Sequence, residues 1–185
     1  MPKVRRAKPD DVAAVAAIHV RSWQAAYSGI LPEDVLAGLS VTEREESWRH
    51  LLADPEHHWL NLVAEDGGVI VGFCAVTTPS WDALADERLA EVGALYVDPV
   101  HWREGIGSAL LRSALAELEE DAWSEVLLWV LPENHRAPRL LRSLRLPCRG
   151  RSREARGAKR PVGDPAASAG RALTSCLRMG GRSSA

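Results

Sequence analysis

The spacing of apolar residues changes several times along the first 138 residues, and each change marks a predicted element. Runs rich in apolar and β-branched residues predict five strands, at residues 3–8, 59–65, 69–78, 89–97 and 124–131. Helical spacing predicts five helices, at about residues 9–26, 33–39, 42–52, 108–118 and after residue 134. The elements therefore follow the order β-α-α-α-β-β-β-α-β-α.

This order predicts a mixed sheet. The hairpin signal Asp66-Gly67-Gly68 joins the second and third strands, and three antiparallel strands then lead into a parallel βαβ unit. The fold class is therefore α/β, with a mostly antiparallel sheet flanked by helices. With 185 residues, 46% of them hydrophobic, the chain can bury one core, so we expect a single domain over residues 1–146.

Three residue patterns predict where helices begin. Pro9 suits the first position of the first helix, because the N–H that proline lacks has no intrahelical partner there. Thr42 and Glu45 form the pattern of a capping box for the third helix. Asn134 is the expected N-cap of the last helix.

The strand, turn and helix over residues 89–118 form the most informative unit. Gly105 and Gly107 stand in the turn, where glycine lets a ligand approach backbone N–H groups at the start of the helix. The unit is typical of a phosphate-binding site, although a glycine turn is also ordinary before a helix. Leu110 replaces the third glycine of a dinucleotide-binding fold, and the Gly-Lys-Ser/Thr of a P-loop is absent.

Charge divides the chain into an acidic body and a basic tail. Residues 1–138 contain 11 Lys and Arg against 23 Asp and Glu, whereas residues 139–185 contain 12 against 2. All ten aromatic residues precede residue 130, and the hydrophobic period ends near residue 147. A basic arm can bind nucleic acid through phosphates, but without aromatic residues for stacking we expect no specific nucleic-acid partner. We expect residues 147–185 to form a disordered, low-complexity tail.

The sequence offers no sign of a membrane or metal protein. No stretch of eighteen apolar residues is present, and no signal peptide is visible at the N-terminus. Three cysteines without metal-ligand spacing favour a reducing cytoplasm. His57 and His58 have no acidic or thiol partner at a useful spacing, so we predict no metal site.

Three segments together resemble the GNAT superfamily of acyl-CoA-dependent N-acetyltransferases. They are Leu95-Tyr-Val-Asp-Pro99, Gly105-Ile-Gly-Ser-Ala-Leu-Leu111 and Leu128-Trp-Val-Leu-Pro-Glu-Asn-His-Arg-Ala137, and the resemblance covers about residues 3–138. Residues 18–32 also resemble the N-terminal part of one bacterial branch. The resemblance implies transfer of an acetyl group from acetyl-CoA to a primary amine of a small molecule or peptide. The oligomeric state is not fixed, and a homodimer is compatible with the sequence.

The resemblance implies that the glycine turn holds the pyrophosphate of acetyl-CoA. The implied donors are the backbone N–H groups of six consecutive residues, Arg103, Glu104, Gly105, Ile106, Gly107 and Ser108, with positive charge from the Arg103 side chain. The strand edge at Leu95, Tyr96 and Val97 is implied to pair with the pantetheine arm. Trp102 departs from the family, whose usual residue there is Gln or Arg. Because backbone donors do most of the binding, we expect this change to trim the affinity only.

Acetyl transfer to an amine needs a base for the ammonium group and an acid for the departing thiolate. Glu91 is the candidate base, because the family often places a carboxylate early on this strand; the alternative is a solvent-facing strand residue. The resemblance also implies that Asn134 contacts CoA, which is compatible with its capping role. Trp23 and Tyr27, at positions i and i+4, either overlook the acceptor site or pack the first helix on the sheet.

The resemblance ends soon after Ala137. The family continues into Phe-Tyr, whose Tyr is the usual general acid, then into Gly-Phe and two more strands. This chain instead reads Leu140-Leu-Arg-Ser-Leu-Arg-Leu-Pro-Cys-Arg-Gly150. Codons can be chosen for these residues so that removing one base yields Phe-Tyr-Glu-Ala-Phe-Gly-Phe-Arg-Ala-Glu. We therefore hypothesise a one-base insertion, a frameshift, near the codon of Arg139.

A frameshift would account for the charge switch, the loss of aromatic residues and the lost hydrophobic period together. The truncated domain would then lack its tyrosine acid and its last two strands. We expect it to bind acetyl-CoA weakly and to turn over slowly. The alternative is a catalytically inactive acyl-CoA-binding protein or a basic-tailed interaction protein.

Overall fold

The computed structural model describes residues 2–53, 60–77, 89–121, 123, 125–131 and 133–144, and the backbone of residues 148–153 and 173–178. Within them lie seven strands: β1 (Lys3–Arg6), β2 (Leu60–Asp66), β3 (Val69–Thr77), β4 (Leu89–Val97), β5 (Glu125–Val130), β6 (Cys148–Arg153) and β7 (Leu173–Arg178). The helices are α1 (Val12–Ala26), α2 (Glu33–Ala37), α3 (Val41–Ala53), α4 (Ile106–Glu120) and α5 (Arg136–Ser143). The expectations for His57 and His58 fall outside the described residues.

The strands form one sheet in the order β1-β2-β3-β4-β5-β7-β6. Strands β1 to β4 pair antiparallel, β4 and β5 pair parallel, and β7 pairs antiparallel with both β5 and β6. The predicted mixed, mostly antiparallel sheet flanked by helices is confirmed. The β2–β3 hairpin turns at Gly67 and Gly68, and both have positive φ, as the Asp-Gly-Gly signal predicts.

The C-terminal strands differ from the sequence expectation. We expected the sheet to lack its last two strands and residues 147–185 to form a tail, whereas β6 and β7 extend the sheet beyond β5. Strand pairing uses backbone N–H and C=O groups, so a sheet edge pairs with extended segments of varied composition. A pattern of apolar and polar side chains therefore gave little warning of these two strands.

Helices cover both faces of the sheet. One face packs against α4 and α5. The core between them includes Leu62, Leu110, Leu111, Val126 and Leu141, all nearly inaccessible to solvent. The other face packs against α1 and α3, and its buried residues include Val15, Ile18, Trp48, Val63 and Phe73. We call these the α4 face and the α1 face.

The start of α3 corrects one predicted cap. Ser40 Oγ accepts a hydrogen bond from the Glu43 backbone N–H at 3.2 Å, and the helix begins at Val41. Ser40 rather than Thr42 therefore caps this helix. Ser40-Val-Thr-Glu43 fits the same Ser/Thr-x-x-Glu pattern as Thr42 and Glu45, so two overlapping signals competed and the earlier one prevailed.

An ion-pair network fastens β1 to the start of α1. Arg5 makes two charge-assisted bonds to Asp11, with Nη1–Oδ2 at 2.7 Å and Nη2–Oδ1 at 2.9 Å, and its Nε bonds to Glu65 of β2 at 2.8 Å. The Lys8 backbone N–H donates to Asp11 at 2.7 Å. The Arg5 hydrogen bonds lower the pKa of Asp11 and outweigh the opposing effect of burial.

Candidate active site

Strands β4 and β5 separate at one end, and the space between them is the β4–β5 gap. Their parallel pairing runs only from Leu89 opposite Glu125 to Val92 opposite Leu128. Strand β4 continues through residues 93–97, paired with β3 on its other side after an irregularity at its centre. Backbone groups of this segment that point away from β3 therefore face the gap.

A bulge in β4 lies where the two strands separate. Ala75 and Val76 are neighbours on β3, but their partners on β4 are Ala94 and Val92. Gly93 is therefore the extra residue, as in other β-bulges, where two residues of one strand oppose one of the other. The sequence analysis did not predict this bulge, although an isolated glycine within a strand is a known signal for one.

Glu91 and Tyr96 share the α1 face because of this bulge. They are five residues apart, and in a regular strand an odd spacing puts two side chains on opposite faces. Glu91 lies opposite Thr77 and Tyr96 lies opposite Phe73. Thr77 and Phe73 are four residues apart on β3, so they and their partners lie on one face, the α1 face that Phe73 occupies.

Glu91 is 4% exposed, so the alternative of a solvent-facing strand residue is wrong. A carboxylate buried this far normally has a polar partner. Buried carboxylates are also common at functional sites. Glu91 lies on the last paired stretch of β4 before the gap opens. Its role as the base stays a prediction, and its burial removes the competing interpretation.

The hydrogen-bond alternation of β4 identifies the backbone groups that face the gap. The Asp98 N–H donates to the Val71 carbonyl at 2.9 Å, so Asp98 and Tyr96 direct their backbone groups toward β3. Leu95 and Val97 direct theirs toward the gap. Of the three residues predicted to pair with the pantetheine arm, Leu95 and Val97 thus have suitable backbone groups, whereas the Tyr96 backbone faces the other way.

The Val97 carbonyl already accepts two hydrogen bonds. Ser22 Oγ of α1 donates to it at 2.9 Å, and Trp102 Nε1 donates to it at 2.8 Å. A carbonyl oxygen has two lone pairs, so this one has no capacity left for a ligand. The Leu95 N–H and C=O and the Val97 N–H are the gap-facing groups left for that purpose.

The turn before α4 has the left-handed backbone that its glycine predicts. Gly105 has φ of 83°, and Arg103 has φ of 72°, which is uncommon for a residue with a Cβ and often found at functional sites. The Gly105 carbonyl accepts from the Ala109 N–H at 3.0 Å. The N–H groups of the first turn, at Ile106, Gly107 and Ser108, precede any intrahelical acceptor and are suited to an anion.

Helix α4 approaches the sheet closely at Gly72 of β3. A Cβ there would lie 3.0 Å from the Tyr96 carbonyl oxygen, 3.2 Å from Leu110 Cδ1 and 3.3 Å from Ile106 Cγ2. Glycine at this position therefore lets the first turn of α4 rest on β3 beside the end of β4. The sequence analysis missed Gly72, because its role depends on a helix more than thirty residues away.

Two adjacent residues of α1 fasten that helix to the end of β4. Arg21 forms an ion pair with Asp98, with Nη2–Oδ2 at 2.5 Å, and Ser22 bonds the Val97 carbonyl. Asp98 Oδ1 also accepts from the Val100 N–H at 3.3 Å, so one carboxylate joins α1 to the turn that follows β4. Sequence reasoning missed these partners, because no local pattern links residues so far apart along the chain.

An aromatic cluster on the α1 face surrounds His19. Its ring stacks on Tyr96 with centroids 5.0 Å apart, and Trp48 Nε1 donates to its Nδ1 at 3.2 Å. Burial, and secondarily the charge of Arg44, lower the pKa of His19 to about 3. His19 is therefore neutral near pH 7 and contributes no positive charge to the site.

Trp23 and Tyr27 contact each other, as their spacing predicts, with ring centroids 4.8 Å apart. Trp23 is 4% exposed and packs against Leu31, Leu36 and Leu131. Its surroundings are those of a core residue, as the alternative of aromatic packing expects. Its indole N–H has no acceptor among the described residues. Tyr27 is half-buried at the margin of the same cluster. A role for either residue in acceptor binding stays a prediction.

The predicted N-cap of α5, Asn134, lies one residue before the observed N-cap. Asn134 Oδ1 accepts from the Arg136 N–H at 3.1 Å, although His135 occupies the N-cap backbone position. The helix then has Leu140 and Leu141 where the resembled family has Phe-Tyr. Leu141 is 1% exposed in the core of the α4 face. The chain has two tyrosines in all, Tyr27 and Tyr96, so α5 carries none.

Other reactive groups are scarce in the described part of the chain. It contains no cluster of three or more metal-ligating side chains. None of its helices combines the length and the apolar character needed to cross a membrane. Cys74 is buried in β3, and burial raises the pKa of its thiol to about 12, so it is not a thiolate nucleophile at neutral pH.

Comparison with known sequences identifies similar proteins. A family model described as the acetyltransferase (GNAT) family matches residues 15–144. The uncharacterized N-acetyltransferase YuaI of Bacillus subtilis (strain 168) is 28% identical over 137 residues, which cover 72% of this chain and 74% of that protein. The probable N-acetyltransferase Rv2775 of Mycobacterium tuberculosis is 31% identical over 137 residues, covering 73% of this chain and 74% of that protein.

A solved structure shares the fold. The PaiA N-acetyltransferase of Thermoplasma acidophilum, in complex with coenzyme A, superposes with a TM-score of 0.73 over 97% of this chain and 99% of that chain. The two sequences are 17% identical. The likeness at this level of identity concerns the fold alone.

Proposed function

The chain belongs to the GNAT family of acetyltransferases, and from that premise we propose that it moves an acetyl group from acetyl-CoA to a primary amine. One observation carries the proposal: the β4–β5 gap and the left-handed turn before α4 lie side by side. The gap is lined by backbone groups of Leu95 and Val97, and the turn by the N–H groups that begin α4. An extended thioester arm that ends in a pyrophosphate fits both.

The turn before α4 suits the pyrophosphate. Left-handed φ angles at Arg103 and Gly105 curl the backbone, and a helix start adds partial positive charge. A Cβ on Gly105 would meet no protein atom within 4 Å, so space beside this backbone is open to a ligand. The proposed donors are the N–H groups of the six residues named above, Arg103 to Ser108, with added charge from the Arg103 side chain.

The edge of β4 suits the pantetheine arm. Its amide groups need alternating donors and acceptors, which the Leu95 N–H and C=O and the Val97 N–H supply. The coenzyme A bound by the structurally similar PaiA protein supports this choice of ligand. Asn134, whose Oδ1 accepts from the Arg136 N–H, has its side-chain NH₂ left as a donor toward the same ligand.

The proposed chemistry is direct attack of the amine on the thioester carbonyl. A C–N bond forms as the C–S bond breaks, the amine loses a proton and the thiolate gains one. Glu91 is the proposed base, because its carboxylate is buried on the α1 face at the start of the gap. The family resemblance implies that it acts through water. Proton transfer of this kind contributes about 10²- to 10⁴-fold to a rate.

This chain lacks the tyrosine that the resembled family uses as the general acid for the departing thiolate. Leu141 stands where the family has tyrosine, and a leucine cannot give a proton to the thiolate. We therefore propose an impaired enzyme, slowed by about 10²-fold or more. The one-base insertion near the codon of Arg139 is the proposed cause. DNA sequencing across codons 137 to 141 of the gene checks it, and a clean open frame without an extra base defeats the frameshift.

The second candidate is an acyl-CoA-binding protein without turnover, which the leucine at position 141 favours. The three cysteines without metal-ligand spacing suit a cytoplasmic location for either candidate. The primary amine acceptor is a small molecule or a peptide, and both types belong in the experiment that follows.

The experiment compares thiol release from acetyl-CoA with a panel of amines for three proteins: this chain, its Leu141→Tyr variant and the frame-restored version. Activity in the restored version, with weak activity in the chain as it stands, supports the proposal. Equal activity in both refutes the impairment. Acetyl-CoA binding without turnover in any version favours the second candidate. The melting temperature of Leu141→Tyr checks that the larger side chain is tolerated.

A further inference from the structure

Trp102 and Arg136 form a stacked pair beside the turn that precedes α4. The guanidinium carbon of Arg136 lies 3.8 Å from the centroid of the Trp102 ring. This distance is well within the range of a cation–π contact, and a planar guanidinium stacks on an aromatic face especially well. The pair joins the first residue of α5 to the residue just before Arg103.

Trp102 is held in place from below. Its indole N–H donates to the Val97 carbonyl at 2.8 Å, at the end of β4. The Trp102 backbone N–H donates to the Pro99 carbonyl at 3.3 Å. The next residue, Arg103, has a left-handed backbone conformation and lies in the turn before α4. The ring is thus a fixed platform at the entrance of that turn.

Arg136 is held at its backbone and exposed at its charged end. Its N–H bonds Asn134 Oδ1, and its side chain is exposed. None of the ion pairs among the described residues includes Arg136. Helix α5 also lies against the start of α4, where Leu140 comes within 3.7 Å of a Cβ built on Gly107. The stacked guanidinium therefore keeps N–H donors available next to the turn.

We infer that the Arg136 guanidinium, positioned on the Trp102 ring, binds a phosphate group of coenzyme A. It would supply the polar contact that the family obtains from Gln or Arg at position 102. Guanidinium N–H donors match phosphate oxygens in geometry and charge. The inference rests on the proposed function, since it assumes that the turn before α4 holds coenzyme A. Trp102 is then a positioning residue rather than a defect in the site.

Calorimetric titration tests the inference with three ligands: coenzyme A, dephospho-coenzyme A and phosphate-free S-acetylpantetheine. The proteins are the unaltered chain, Arg136→Ala and the matched control Arg139→Ala, which removes the same charge one turn further along α5. We expect Arg136→Ala to weaken coenzyme A binding by about tenfold. Arg139→Ala should change it by less than about twofold, because no ring among the described residues stacks on Arg139.

The three ligands distinguish the phosphates. An equal loss for coenzyme A and dephospho-coenzyme A assigns Arg136 to the pyrophosphate, and a loss for coenzyme A alone assigns it to the 3′-phosphate; both support the inference. An equal loss for S-acetylpantetheine overturns it, because that ligand has no phosphate. So does an equal loss in Arg139→Ala. If the unaltered chain binds no coenzyme A, the proposed function fails; if it binds and Arg136→Ala is unchanged, only this inference fails.

A double-mutant cycle tests the role of Trp102. If the ring positions Arg136, the effect of Arg136→Ala should shrink to about twofold or less in a Trp102→Ala background. Trp102→Phe should retain most of the coupling, because phenylalanine keeps an aromatic face while it loses the bond to Val97. Additive effects of Trp102→Ala and Arg136→Ala would show that the two side chains act independently, which contradicts the inference.

Discussion

The indole N–H of Trp102 and the carbonyl oxygen of Val97 are 2.8 Å apart, and this bond joins the end of β4 to the start of the turn before α4. Ser22 of α1 donates to the same oxygen at 2.9 Å. One backbone carbonyl thus links the strand edge proposed for pantetheine, the turn proposed for the pyrophosphate and helix α1. Changes to these donors should therefore affect both stability and ligand binding.

Ser22→Ala should lower the free energy of unfolding by about 1 kcal/mol, because it removes one of the two donors to the partly buried Val97 carbonyl. Chemical denaturation measures this value, and titration with coenzyme A should show weaker binding as the end of β4 loosens. Ser47→Ala is the control, since its hydroxyl makes a similar bond to the Glu43 carbonyl at an exposed site. Equal losses in the two variants would argue against a special role for the Val97 carbonyl.

Glu91→Gln should reduce kcat by about 10²-fold with little change in coenzyme A affinity, because glutamine keeps the shape but cannot accept the amine proton. The frame-restored version is the best background for this measurement. The deficit should narrow as the pH approaches the pKa of a free amine, about 10.4 for a lysine side chain, since less proton removal is then needed. A loss that stays constant with pH would contradict the assignment of Glu91 as the base.

His19 should make stability depend on pH. Its pKa is lowered to about 3 in the folded chain, so below its ordinary value of 6.5 the unfolded chain binds a proton that the folded chain does not. Stability should therefore fall as the pH drops from 6.5 toward 3, by at most about 1.4 kcal/mol per pH unit. The His19→Phe variant should lose this part of the slope in thermal unfolding between pH 4 and 7. The exposed-site control, His50→Gln, should retain it.

Asp11→Asn should destabilise the protein by about 2 kcal/mol, because it weakens two charge-assisted bonds to Arg5. The pKa of Asp11 is lowered in the folded chain, so this stabilisation is present above the carboxylate's unfolded pKa and is lost as the pH falls through its folded value. The neighbouring exposed Asp10→Asn is the control. Similar denaturation midpoints for the two variants at pH 7 would contradict the role given to the Arg5–Asp11 pair.

The sequence was most informative where local pattern decides structure. The range of β4 and the hairpin glycines are as predicted, because a run of apolar residues and a positive φ have direct residue signatures. The cap of α3 moved from Thr42 to Ser40, because two overlapping capping patterns are equally good locally. The glycine turn at Gly105 is also as predicted, and its left-handed φ is a finding of the structure.

The parts of the site that were missed depend on contacts between distant residues. Ser22 and Arg21 reach the end of β4, more than seventy residues away, and nothing in their own neighbourhood indicates it. Gly72 matters only because α4 rests on it. The shared face of Glu91 and Tyr96 depends on a bulge that reverses the parity expected from their spacing.

The most direct test of the proposed coenzyme A site is calorimetric titration of coenzyme A into the chain and into Gly105→Val. Gly105 has φ of 83°, where a β-branched residue is strained. The variant should therefore distort the turn before α4 and weaken coenzyme A binding at least about tenfold. Gly67→Val is the control, since Gly67 has φ of 57° in the distant β2–β3 hairpin. We predict that one coenzyme A binds per chain, and that this binding is lost in Gly105→Val and kept in Gly67→Val. No binding to the unaltered chain, or equal affinity in Gly105→Val, would contradict it.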